Sequence, residues 1–169
     1  NTSKIGVANL VANLQSGSVT IETTGAGAEN GDITISTAIN LDGTSGNILQ
    51  FNADGSIIIN GHITDQSTAS PDATSLGFSA GGNISIADGV AVNSGGGLIS
   101  MSAGGNLTLS NLNSEGGSMF LTGVSIIDAG DGGFGYDLNS GGGLISFNIT
   151  TNIGGTSFTD AIEIADSKL

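Results

Sequence analysis

Apolar and polar residues alternate in short bursts along the chain, and three of these bursts follow the same order. Residues 49–59, 76–86 and 99–109 each place a Phe or Met between polar residues, then an alanine, a turn with glycine, and a second alternating burst. Alternation with a period of two residues is typical of a β-strand with one buried face. Glycine permits a sharp bend between two such strands. The pattern therefore predicts pairs of short strands that recur along the chain.

The spacing of these bursts predicts a solenoid. Weaker copies occupy residues 118–127 and 144–153, so the equivalent apolar positions are Phe51, Phe78, Met101, Leu121 and Phe147. The intervals between them are 27, 23, 20 and 26 residues, which leaves no length for helices or four-stranded propeller blades. A parallel β-helix fits this period, because each repeat then forms one coil that is hydrogen-bonded to its neighbours. The whole chain would make about 7 coils and a rod of roughly 35 Å.

Stacked coils place equivalent residues above one another, so the inward positions should form columns of similar side chains. The apolar positions named above form the predicted large column of the core. A small column is expected beside it, where the wall bends inward, from Ala53, Ala80, Ala103 and Gly123. Asn83 and Asn106 follow a glycine pair in adjacent coils. They form either a ladder of side-chain amides or simple turns.

The first residues of the chain have a different period. Val7, Leu10, Val11 and Leu14 are spaced as on one face of a helix, and Gly17 is suited to its end. We expect one domain in three parts: an N-terminal segment with a helical cap (1–17), the β-helix coils (18–160), and a final strand or cap (161–169). Caps are expected because the end coils of a solenoid have unpaired backbone N–H and C=O groups.

The charge and amino-acid composition exclude several classes of binding partner. The chain has 2 basic residues against 15 acidic ones, a net charge of −13, and only 10% charged residues in all. Nucleic acid is not expected as a partner, because phosphate binding requires clustered Lys and Arg. Membrane insertion is not expected either, because no apolar run approaches the ~18 residues of a transmembrane helix. The absence of cysteine excludes disulfides and thiol chemistry.

Four segments, residues 8–43, 49–64, 78–97 and 101–117, resemble the repeats of filamentous haemagglutinin-like exoproteins. These are the large adhesins that Gram-negative bacteria export by two-partner secretion. The order of "VTIETTGAG", "GDITI", "AINLDG" and "NADGSIIING" carries the resemblance, while the secretion motif of the family, similar to "NPNG", is missing. The resemblance implies a right-handed parallel β-helix, exported to the cell surface, as a segment of a rod that reaches away from the cell.

Side chains with catalytic or metal-binding chemistry are few. His62 is the only histidine, which favours a structural role at a turn and excludes a site with several histidines. Asp128, Asp131 and Asp137 lie close together, and such carboxylates either cleave polysaccharides, bind Ca²⁺ or belong to an acidic loop without a ligand. We expect no enzyme and no cofactor, because the chain lacks the Arg and Trp residues that sugar-cleaving sites use; Ca²⁺ stays an alternative.

These observations predict a structural protein located outside the cell or on its surface. In the main hypothesis the chain is a subunit whose ends stack head to tail, with other copies of itself, into a surface or biofilm filament. The alternative is a rod segment of a large secreted adhesin, joined to the rest of that exoprotein, which binds a glycan or receptor on a host or neighbouring cell. A lesser alternative is a β-helix that binds or cleaves polysaccharide.

Overall fold

A computed structural model describes residues 3–23, 31–44, 46–66, 73–130, 136–154 and 164–165. It begins with helix α1 (Val7–Ser16), which is followed in these residues by short strands only. The strands are β1 (Val19–Glu22), β2 (Ile33–Ile35), β3 (Ile39–Asn40), β4 (Ile48–Ala53), β5 (Ile57–Ile59), β6 (Ile63–Thr64), β7 (Ser75–Ala80), β8 (Ile84–Ile86), β9 (Ala91–Asn93), β10 (Ile99–Ala103), β11 (Leu107–Leu109), β12 (Asn111–Asn113), β13 (Met119–Asp128), β14 (Leu138–Asn139), β15 (Ile145–Ile153) and β16 (Ile164–Ala165).

The strands stack on three faces, and every pairing between described strands is parallel. The first face contains β1, β4, β7 and β10, then the beginnings of β13 and β15. The second face contains β2, β5, β8 and β11, then the ends of the same two long strands. The third face contains β3, β6, β9, β12, β14 and β16. The predicted all-β parallel β-helix with a short N-terminal helix is confirmed.

One coil is one passage of the chain across the three faces. The described strands form six such coils, from β1–β3 to β15–β16. The sequence period suggested about 7 coils. The difference arises because the count of about 7 covered the whole chain, including the N-terminal segment that forms helix α1. At about 4.8 Å between neighbouring strands, the six coils span about 24 Å along the axis of the stack.

The core consists of columns that run along this axis. Strand register places Ile21 against Phe51, and the column continues through Phe78, Met101 and Leu121 to Phe147. The rings of Phe51 and Phe78 are stacked, with centroids 5.4 Å apart and planes 9° apart. Ala53, Ala80 and Ala103 pair in the adjacent small column, and Gly123 lies buried over Leu107 in the following coil. The residues proposed from the sequence for both columns thus share the inward side of the first face.

The repeated segment "NSGGG", which reads "NSEGG" in its middle copy, forms a turn between the third face and the next coil. In residues 93–97, 113–117 and 139–143 the serine hydroxyl donates to the carbonyl of the last glycine, at 2.7, 2.6 and 2.7 Å. The asparagine Oδ1 in each case accepts the N–H two residues later. A Cβ on Gly117 would lie 2.0 Å from the carbonyl oxygen of Gly97, and one on Gly143 would lie equally close to that of Gly117. The turns stack so closely that only glycine fits at this position.

Candidate functional site

The two ends of the stack differ, and the first of them is covered. Helix α1 packs over the first coil, against β1 and β3, and it buries Leu10 and Leu14 completely or nearly so. Asn47 fixes the end of the helix, because its Nδ2 donates to the carbonyls of Leu14 (2.6 Å) and Thr44 (3.0 Å). Gly17 ends the helix, as its sequence predicts. We call α1 together with the first coil (β1–β3) the closed end.

The last coil, β15 and β16, exposes apolar side chains that equivalent positions bury elsewhere, and we call it the open end. Ile153 is 50% exposed, although its partner Ile126 in the preceding coil is fully buried. Ile164 is 39% exposed, although its partner Leu138 is fully buried. Phe147 is half-buried, whereas Phe78 in mid-stack is 2% exposed. The open end therefore exposes part of the core columns of the solenoid to its surroundings, while Ile145 at the start of β15 remains buried.

The backbone of the open end is also available for pairing. Strand β15 spans 9 residues with neither a charge nor a proline, and among the described strands it pairs only with β13. Natural proteins usually protect such an edge with charged residues, proline or a covering segment. An uncharged edge of this length is a surface to which another strand adds readily through main-chain hydrogen bonds.

A cleft separates α1 from the edge of the first face. It has a volume of about 540 Å³, and Ile5, Leu10, Val19 and Ile21 line it together with small polar residues. Strand β1 forms one wall and pairs on its other side with β4. The helix consequently covers the first coil without filling the space beside its edge strand.

The acidic segment predicted as a calcium or carboxylate site is described only in part. The Asp128 Oδ1 accepts the N–H of Gly130, so this carboxylate closes a local turn. Asp137 is fully buried just before β14, and its carbonyl accepts the N–H of Leu112. Asp131 lies outside the described residues. Within the described part of the chain, no group of three or more His, Cys, Asp or Glu side chains is arranged to hold a metal ion.

His62 has a structural partner. Its exposed ring uses Nδ1 to accept the backbone N–H of Ala91 in the next coil, at 3.0 Å. This hydrogen bond satisfies a donor at the corner between the second and third faces. His62 thus takes part in the contact between two successive coils.

Side-chain oxygens connect successive coils at the corner between the first and second faces. The Asn106 N–H donates to Asn83 Oδ1 at 2.8 Å, and the Asn83 N–H donates to Ser56 Oγ at 3.1 Å. The Ser56 N–H in turn donates to Asp32 Oδ1 at 2.7 Å. Asn83 and Asn106, suggested as an amide ladder, are therefore joined by a hydrogen bond from a backbone N–H to a side-chain oxygen. They belong to a longer polar column that also includes Ser56 and Asp32.

A second polar column, on the outside of the third face, was not found from the sequence. Asn93 and Asn113 pair in adjacent coils, and both amide groups donate to Glu115 Oε1, at 2.6 and 3.4 Å. Glu115 has a φ of 47°, the only positive value at a non-glycine residue among those described, and it occupies the turn position of Gly95 and Gly141. Alignment of "NSEGG" with the two copies of "NSGGG" would have singled out this residue.

The outer wall is polar apart from a few apolar side chains. Phe120, on the outer side of β13, is 41% exposed between Ser100 and Ser146, and Leu98 and Leu144 lie exposed near it. No helix in the described residues has the length and apolar character needed to cross a membrane. No family model, curated protein or solved structure matches the chain. Membership of the exoprotein family stays a prediction.

Proposed function

We propose that this protein is a structural subunit of a filament outside the cell, in which the stack of coils continues beyond the open end. The observation that supports this most strongly is the exposure of the core columns at the last coil. A solenoid gains stability from each interface between neighbouring coils, so an uncovered interface favours addition of another coil. The wall of Ser, Thr and Asn side chains suits a surface that remains in water.

Electron microscopy and sedimentation velocity over a concentration series would test the proposal. We expect particles that grow in length with concentration and keep the width of one solenoid. Ile153→Lys places a charge in the open interface and should shorten the particles. Val124→Lys is the matched control, because Val124 is exposed to a similar extent on the wall of β13, away from the interface. Single short rods at every concentration would contradict the proposal.

The second candidate function is a rod segment of a large secreted adhesin. The observation in its favour is the difference between the ends, because a rod that is covered at one end and open at the other can be extended by coils in one direction. Here the further coils would belong to the same polypeptide, and the purified chain would remain a monomer. In that case a glycan array, with Phe120→Ser as the wall variant, would test whether the exposed wall binds a surface sugar.

A further inference from the structure

We propose that the surface beneath helix α1, formed by the first coil, is the docking surface for the last coil of a second copy. This inference rests on the proposed function and names the two surfaces that meet. Its basis is the register between coils, which connects equivalent residues from one end of the stack to the other, with one shift between Gly123 and Ser125 where β13 pairs with β15. The docked copy would occupy the next place in the same stack, so the contact continues an interface that the molecule already contains.

The register assigns each side chain of the open end to a partner at the closed end. Following the pairings along the first face, Ile145 belongs to the column of Val19, and Phe147 belongs to the column of Ile21. On the second face Ile153 belongs to the column of Ile33, and on the third face Ile164 belongs to the column of Ile39. Stacking in register thus joins apolar columns on all three faces.

The outward positions are compatible with the same contact. Glu22 of one copy would lie beside Asn148 of the other, and Thr20 would lie beside Ser146. Strand β15 contains no charge, so docking brings no like charges together on the first face. Like charges directly opposite each other would oppose strand pairing, whereas Thr and Ser side chains tolerate it.

Helix α1 occupies this surface, and it therefore acts as a cap that the second copy displaces. It is attached by the buried Leu10 and Leu14, by the partly buried Val7 and Val11, and by the hydrogen bond from Asn47, and its first turn has neither a capping side chain nor an acidic residue. The cleft beside β1 leaves the edge strand within reach while the helix is still in place. The incoming coil offers apolar side chains on three faces and the main-chain hydrogen bonds of β15, which together replace these contacts.

Cysteine cross-linking tests the contact directly, because the chain contains no cysteine of its own. In the proposed register Thr20 and Ser146 of neighbouring copies lie about 4.8 Å apart at Cα, within the range of about 4.4–6.8 Å for disulfides. Mild oxidation of the Thr20→Cys/Ser146→Cys variant should give a ladder of dimers, trimers and longer chains. The control Thr20→Cys/Ser102→Cys should stay monomeric, because Ser102 lies on the wall of β10, away from the open end.

The single variants distinguish this contact from a symmetric one. Dimers formed by Ser146→Cys alone would show that two open ends meet each other, and that result would overturn the inference. Fibres that form without a cross-linked ladder would overturn the inference and leave the proposed function standing. The absence of both fibres and ladder would overturn both.

The role of α1 has its own readout. Leu14→Ala loosens the helix and should raise the initial rate of ladder formation in the Thr20→Cys/Ser146→Cys background several-fold. Leu10→Ala serves as a second variant in case the first fails to fold. An unchanged rate in a folded variant would show that the helix is no barrier and would overturn its role as a displaced cap.

Discussion

The two ends of this solenoid are built from the same columns, yet in the part of the chain that the structure describes only one of them is covered. At the closed end Leu14 is fully buried between α1 and the first coil, whereas Ile153, at the end of strand β15, is 50% exposed. The strands beneath are alike, since the column of Ile21 and the column of Phe147 are one and the same. The difference therefore lies in what packs on the end coil and not in the coil itself. In a repeating fold each inner coil is covered by its neighbours, so the stack ends only where a segment that does not repeat covers the last coil.

The largest expected contrast is between Leu14 and Ile153. Leu14→Ala removes a fully buried side chain from the closed end and should lower the free energy of unfolding by about 2–5 kcal/mol. Ile153→Ala removes a half-exposed side chain from the open end and should cost less than about 1 kcal/mol. Urea denaturation of both variants at low protein concentration measures the difference. Equal losses would show that the open end is covered as well as the closed one.

A smaller contrast is expected between two asparagines. Asn47→Ala leaves the carbonyl of Leu14 at the end of α1 without its side-chain donor and should cost about 1–2 kcal/mol of unfolding free energy. Asn148→Ala, on the exposed side of β15, should change it by less than about 0.5 kcal/mol. The loss of helical ellipticity on heating would show whether the first variant frees the helix before the coils unfold. Simultaneous loss of helix and strands would mean that α1 is an integral part of the stack.

Amide hydrogen exchange compares the local stability of the two ends in the unmutated protein. The amides of β1 lie under the helix, so they should exchange roughly tenfold more slowly than those of β15, which corresponds to about 1.4 kcal/mol in opening free energy. Exchange measured by NMR in dilute solution resolves the two strands. Higher concentration should slow the exchange of β15 if copies stack, and this dependence is the informative control.

The smallest effect concerns the start of α1. Gly6 has no side chain to accept the free N–H groups of the first helical turn, so Gly6→Asp should stabilise the closed end by about 0.5 kcal/mol. Gly6→Ala should destabilise the closed end, because alanine is a poor residue at the N-cap position. Thermal unfolding detects both changes. A stabilising alanine would indicate that helix propensity matters more here than capping.

Periodicity alone was enough to predict the interior of the molecule. The intervals between Phe51, Phe78, Met101, Leu121 and Phe147 predicted the strand register, because stacking in a parallel β-helix forces equivalent residues into contact. The helical spacing of Val7 and Leu14 likewise predicted α1, since a period near 3.6 residues is incompatible with a strand. Both features depend on local order in the sequence, which is visible without coordinates.

The polar columns and the open end could not be derived in the same way. Asn83 was expected to form either a side-chain ladder or a simple turn; its Oδ1 accepts a backbone N–H of the next coil, an arrangement that depends on the turn geometry. Glu115 is recognisable only when "NSEGG" is aligned with the two copies of "NSGGG", because a glutamate taken alone does not reveal the positive φ that it shares with the equivalent glycines. The exposure of Ile153 depends on what covers the last coil, and the alternating pattern of β15 is the same with or without a cover.

The hydrogen bonds between coils lie along the axis of the stack, and this determines how the molecule would respond to mechanical tension. A pull along the axis loads these bonds in line, so the coils peel away one after another instead of shearing together. The 23 residues from Phe78 to Met101 occupy one coil, and they would extend to about 80 Å of chain from about 4.8 Å of stack. A stack that unfolds coil by coil would therefore lengthen in large steps and dissipate part of the work done on it.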